Sequence, residues 1–239
     1  MSHVKNMQSF EKLTGICTGL GGNYNPGKQN LQVNAITTLS TIAQQIGEEV
    51  REAQKAYDMA TNAREEGFNT IRQFSSRVYQ MLQACGANPL LLADALNSKR
   101  RIWGARLSKL SPIDPGKATE EKPESRRSYG RSYFIIAEYF DQLVKTVASE
   151  PKYTANEPEF TVEGLQQTAA KLFSLNKAVA DAENRLDEAR IKRNTVYYIA
   201  PENLVETATA VKAYVRCIFG FHSQQHQQVL KLSFTKPTL

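Results

Sequence analysis

The stretch VNAITTLSTIAQQIGEEVREAQKAYDMATNAR, residues 33–64, decides how this chain is read. Its positions Val33, Ile36, Leu39, Ala43, Ile46, Val50, Ala53, Tyr57, Ala60 and Arg64 follow one another in steps of three and four. A seam with that spacing stays on one face of an α-helix. The stretch VEGLQQTAAKLFSLNKAVADAENRLDEARIKR, residues 162–193, repeats it at a constant offset. There the corresponding positions are Val162, Leu165, Thr168, Leu172, Leu175, Val179, Ala182, Leu186, Ala189 and Arg193. Val33, Val50, Ala53, Ala60 and Arg64 are matched by identical residues, and most other pairs exchange one apolar side chain for another. A stripe repeated at fixed distance with its helical phase preserved points to an internal duplication.

The correspondence extends on both sides of the stripe. Upstream, Phe10-Glu11-Lys12-Leu13 resembles Phe140-Asp141-Gln142-Leu143, and each opens a short apolar helix. Each is followed by an irregular stretch with a tyrosine, Tyr24 in GGNYNPGKQN and Tyr153 in SEPKYTANEPEF. Gly21-Gly22 and Pro151 are expected to stop these helices, and Thr161 to cap the second long helix. Downstream, RVYQMLQACGAN (77–88) parallels VKAYVRCIFGFH (211–222) as a return helix. Pro201 predicts a turn over Ala200–Asn203 in the second copy. In the first copy Phe68, Ile71, Phe74, Val78, Met81 and Cys85 nearly continue the stripe, and only Gly67 offers a break. Residues 66–70 therefore either turn, the preferred reading by analogy with the second copy, or carry on as a kinked or continuous long helix. Away from the seam, Asp181 with Arg185 and Glu188 with Lys192 have the spacing of solvated ion pairs along one helix.

Between the copies lies SPIDPGKATEEKPES, residues 111–125, whose three prolines and scarce apolar residues read as an exposed linker. The expected organisation is a helical repeat over 1–110, a basic, proline-containing linker over 111–130, and a second helical repeat over 131–239. The expected fold is all-α: an elongated antiparallel helical bundle with an internal pseudo-twofold duplication.

Charge sits in one place. The chain has a formal net charge of +6. Residues 99–131 hold ten basic and four acidic side chains, so this segment carries the whole excess. Within it, Lys99, Arg100, Arg101, Trp103 and Arg106 are the candidate contacts for a phosphate backbone or a partner protein. A solvated helix end with Ile102, Trp103 and Leu107 packed inward is the competing reading.

Chemistry of other kinds finds few residues to carry it. The three cysteines, Cys17, Cys85 and Cys217, form no CxxC pair and read as small, reduced core residues. His222 and His226 form HSQQH, whose spacing puts both rings on one helical face, but no glutamate accompanies them as in HExxH. Phosphate-binding glycine loops and nucleophile elbows are absent. No catalytic residue, metal or cofactor is therefore expected. The repeated polar positions Tyr24, Tyr153, Arg64 and Arg193 are read as structural. With no secretory leader and no apolar run long enough for a membrane span, a cytoplasmic location is expected.

The set FEKL, GGNYNP, a long helix, and Phe219-Gly220 with Ser223 and Val229 resembles a group of uncharacterised bacterial helical proteins built from two similar halves. Tyr24-Asn25-Pro26, Tyr153-Thr154, Arg64 and Arg193 belong to the same pattern. The resemblance implies a fold and no activity. The expected function is a non-catalytic scaffold, adaptor or structural protein that binds another protein; the alternative is nucleic-acid association through residues 98–131.

Overall fold

The computed structural model describes residues 2–104 and 132–236. Among these, all regular structure is helical: α1 (Ser2–Gly19), α2 (Val33–Asn69), α3 (Ile71–Ala84), α4 (Pro89–Ile102), α5 (Tyr133–Ala148), α6 (Val162–Asn194), α7 (Leu204–Phe219) and α8 (Gln224–Leu230). The linker expected over 111–130 lies outside the described residues.

The long helices are the stripe made solid. α2 runs for 37 residues and α6 for 33, and the matched valines Val33 and Val162 open them. None of the stripe positions is exposed; Ile36, Ala43, Ile46, Leu165, Leu172, Val179 and Leu186 are buried outright. Each larger side chain so buried contributes about 1.5–3 kcal/mol. The short helices also end as expected. Gly21, at φ +55°, takes the left-handed conformation just past α1, and α5 stops at Ala148, before Glu150-Pro151.

The break in the first copy falls at Thr70, not at Gly67. Gly67 lies inside α2, where a Cβ would run into the Leu175 side chain of α6. Its missing side chain serves close helix approach rather than a turn. In the second copy α6 widens into a π-type turn over Thr195–Ile199, and the chain then reverses through Ala200–Asn203 as expected. Asn203 begins α7: its Oδ1 accepts from Glu206 N–H at 3.0 Å, while its Nδ2 donates to the carbonyls of Ala200 (3.1 Å) and Tyr198 (3.3 Å).

The described residues divide into two compact units, and the units cut across the sequence copies. One holds residues 1–57 and 182–239, the other 58–181. In the first unit, α1, the Tyr24 loop and the leading part of α2 pack with the end of α6, α7 and α8. Its core contains Phe10, Leu13 and Ile36 from one copy and Tyr197, Leu204 and Val211 from the other. In the second unit, α3, α4 and the end of α2 pack with α5, the Tyr153 loop and the leading part of α6. Its core joins Val78, Leu82 and Ile102 to Phe140, Leu143 and Leu165. α3 buries Ile71, Ser75, Val78 and Leu82, and α7 buries Leu204, Ala208, Val211 and Val215 with the same spacing.

A buried carboxylate ties the second unit together. Glu150, 6% exposed, accepts the N–H of Asn88 at 2.8 Å and of Lys152 at 3.0 Å. These two N–H groups, that of Asn88 first, hold its pKa below the usual carboxylate value. A depressed folded-state pKa gives stability that is present above the unfolded value and lost as pH falls through the folded one. Glu150→Gln, which replaces one acceptor oxygen by an NH2 facing a donor, should lower the melting temperature near pH 7. It should also flatten the acid side of the pH–stability curve. An acid limb identical to that of the wild type would refute this role.

Candidate functional site

The two tyrosine loops turn out to be the same device. Tyr24 Oη donates to the Leu31 carbonyl and Tyr153 Oη to the Phe160 carbonyl, each at 2.7 Å and each seven residues ahead. Each accepting residue closes a short 3-10 turn (Gln29–Leu31 and Pro158–Phe160) that leads into a long helix. Thr161 then caps α6 through its hydroxyl, which accepts from Gly164 N–H at 3.1 Å. Both tyrosines are buried, and burial pushes both phenols up, Tyr153 to about 12. Beside Tyr24 the buried Cys17 thiol is pushed up to about 11 for the same reason.

A phenol whose folded pKa exceeds its unfolded value stabilises the fold fully below about pH 10, and that contribution is lost as pH climbs toward 12. Tyr24→Phe and Tyr153→Phe should each cost about 1–2 kcal/mol at neutral pH, since each leaves a buried carbonyl without its donor. Each should also soften the alkaline loss of stability. Urea titrations near pH 8 and pH 11 test both effects; an unchanged neutral midpoint would show that the latch contributes nothing.

The stripe arginines part company. Arg64 lays its guanidinium over the Tyr133 ring, 4.4 Å from the centroid, and its Nε is buried with no hydrogen-bond partner among the described residues. Arg193 instead donates from Nη2 (2.9 Å) and Nε (3.2 Å) to Asn194 Oδ1. Burial lowers its pKa, and the neighbouring Tyr198 and Tyr197 oppose that shift. Arg193 stands in a polar cluster that no sequence pattern announces. Asn6, fully buried, pairs with the Thr235 backbone in both directions: its Nδ2 donates to the carbonyl at 2.7 Å and its Oδ1 accepts the N–H at 3.0 Å.

The same Asn6 Nδ2 donates to Tyr198 Oη at 3.1 Å, and Tyr198 Oη lies 2.8 Å from His3 Nδ1. Burial, and then Arg193, lower the His3 pKa. Tyr198 Oη thereby links the Asn6 amide to the His3 ring. Tyr197 Oη donates to the Ala43 carbonyl at 2.9 Å, and burial pushes its pKa up to about 12. These bonds fasten α1, the π-type turn and the C-terminal segment to one another. Asn6 had no sequence signal, because its partner is a backbone 229 residues away.

The basic segment is only partly within view. Arg106 and Leu107 lie outside the described residues. Lys99 Nζ sits 4.6 Å over the Tyr79 ring and Arg101 5.8 Å from that of Tyr139, so two of three cations already engage aromatic faces. Arg100 is exposed. Trp103 is half-exposed rather than packed inward, and its indole N–H is shared between the Arg72 carbonyl and Ser76 Oγ, each at 3.1 Å. Ile102 is fully buried as expected.

The histidine pair does not form the expected face. α8 begins only at Gln224 behind the Ser223 cap, so His222 precedes the helix and is exposed, whereas His226 is buried with Nδ1 2.8 Å from the Phe221 carbonyl. Among the cysteines, Cys17 is core, but Cys85 is half-buried and Cys217 exposed. Lys192, whose spacing predicts a pair with Glu188, reaches Glu49 on α2 instead, at 2.7 Å. No cluster of three metal-ligating side chains occurs among the described residues, and no helix there is long and apolar enough to cross a membrane. Compared with family models, curated proteins and solved structures, the chain matches none.

Proposed function

We propose that this protein is a non-catalytic helical scaffold or adaptor, working in the cytoplasm, that binds another protein. The observation that carries this reading is where the repeated polar groups point. Tyr24 and Tyr153 serve carbonyls of their own loops, and Arg64 and Arg193 serve Tyr133 and Asn194 beside them. Groups used in this way hold a shape rather than a substrate. Among the described residues Leu90, Ile191 and Met59 are 76, 65 and 62% exposed. They are the positions at which contact with a partner is tested.

The test is affinity capture from the native cell with the wild-type chain and with Met59→Glu, Leu90→Glu and Ile191→Glu, each checked for unchanged helix content. One stoichiometric partner, held by the wild type and lost from at least one variant, supports the reading. Failure to retain any partner at stoichiometry counts against it.

Nucleic-acid association is the second reading, favoured by exposed Arg100 in the last turn of α4 beside half-exposed Trp103. Binding of that kind weakens steeply with salt, and replacing Lys99, Arg100 and Arg101 together by glutamine should abolish it. A salt-insensitive or absent interaction with duplex DNA and single-stranded RNA removes this alternative.

A further inference from the structure

Inside each unit, the links between residues farthest apart in the chain join one sequence copy to the other. In the first unit Asn6 holds Thr235, His3 meets Tyr198, Tyr197 holds the Ala43 carbonyl, and Glu49 pairs with Lys192. In the second, Glu150 holds Asn88, Glu159 pairs with Arg77 at 2.8 Å, and Phe74 stacks on Phe160 with ring centroids 5.5 Å apart. The composition rule is the same in both: the leading part of one copy with the trailing part of the other.

Neither half closes a core of its own in this structure: Phe10 and Leu13 share theirs with Leu204 and Val211, and Val78 and Leu82 share theirs with Phe140 and Leu143. Two halves that each complete the other at two places, by the same rule, have the logic of a symmetric, exchanged dimer written into one chain.

We propose that residues 1–104 and 132–236 are mutual binding partners whose pairing does not depend on the connection between them, and that a second copy of this chain supplies the partner half in a reciprocally exchanged dimer. Residues 105–131, fully extended, would reach on the order of 90 Å, so the covalent link permits pairing within a chain or between two. A short flexible tether gives a linked partner an effective concentration of about 1 mM. Pairing within the chain therefore wins in dilute solution, and exchange competes only when chains fold at comparable concentration.

A protease recognition sequence inserted within 111–125 of the full chain tests both parts. Cleaved native protein should keep the 26.8 kDa mass of the whole chain by light scattering, as a one-to-one pair of fragments separable only in denaturant. Two fragments that separate under native conditions overturn the proposal. Co-expressing 1–118 and 119–239 from separate genes gives an independent check, and the two should copurify.

Refolding the uncut chain should yield dimer that rises from below about 1% at ~1 µM to tens of per cent near ~0.5 mM. Cutting that dimer should halve its mass, because each exchanged pair is then released. No dimer at any concentration, or a dimer whose mass survives cleavage, refutes exchange.

Discussion

Phe140→Ala is expected to cost about 3–5 kcal/mol. Phe140 is fully buried in α5, on the face that also buries Ile136, Leu143, Val144 and Val147. Its ring centroid lies 5.9 Å from that of Phe74, which in turn stacks on Phe160, and the Arg77 guanidinium covers Phe160 at 4.7 Å. α5 packs against both α3 and α4. Collapse around the gap is thereby limited, and the cavity term adds to the lost transfer energy. Against a total stability of about 5–15 kcal/mol, the melting temperature should fall by on the order of 10 °C. Since Phe140 belongs to the core of residues 58–181, amide protection should fall first there. A loss below about 1 kcal/mol would mean that this aromatic group does not hold the unit together.

Asn203→Ala should cost about 2–4 kcal/mol, unusual for one small polar side chain. A lost N-cap costs about 0.5–2 kcal/mol. Here the same side chain, 2% exposed, also donates to the carbonyls of Ala200 and Tyr198; that of Ala200 keeps the Asn203 N–H at 3.2 Å, whereas that of Tyr198 would lose this donor in a buried place. Leaving such a group unmet costs about 1–3 kcal/mol. The neighbouring Glu202 already stands at φ +59°, so the turn has strain to hold. Asn203→Ser restores the acceptor for Glu206 N–H without the donors, and should recover only about a third to a half of the loss. Full recovery would show that capping is the entire role. Chemical denaturation of the three proteins separates these outcomes.

Much of this architecture was legible because it is local. The three-and-four stripe marks which face of α2 and α6 goes inward, whatever that face meets. The glycines and prolines around residues 21 and 201 end helices through backbone sterics alone, and Thr161 caps through a bond to the N–H of nearby Gly164. Gly67 misled for an instructive reason: flexibility and close approach leave the same mark in sequence, and only the position of Leu175 tells them apart. HSQQH misled because its spacing matters only inside a helix, and α8 starts between the two histidines. Repeated polar positions kept their roles unevenly: Tyr24 and Tyr153 share one geometry, whereas Arg64 and Arg193 share a register but not a partner.

Local sequence alone dictates an all-helical chain, the buried stripe, most of the helix ends and the placing of two tyrosine loops. These follow from backbone sterics and periodicity, which act over a few residues. Tertiary packing made the remaining choices: that each compact unit takes half of each copy, that Asn6 holds a backbone at the far end of the chain, and that Glu150 is buried against Asn88. The cause is that a stripe states how much apolar surface must be covered, and two similar stripes can cover each other or themselves equally well. Side-chain fit and hydrogen bonds between residues far apart in the chain select the pairing, and neither leaves a periodic trace.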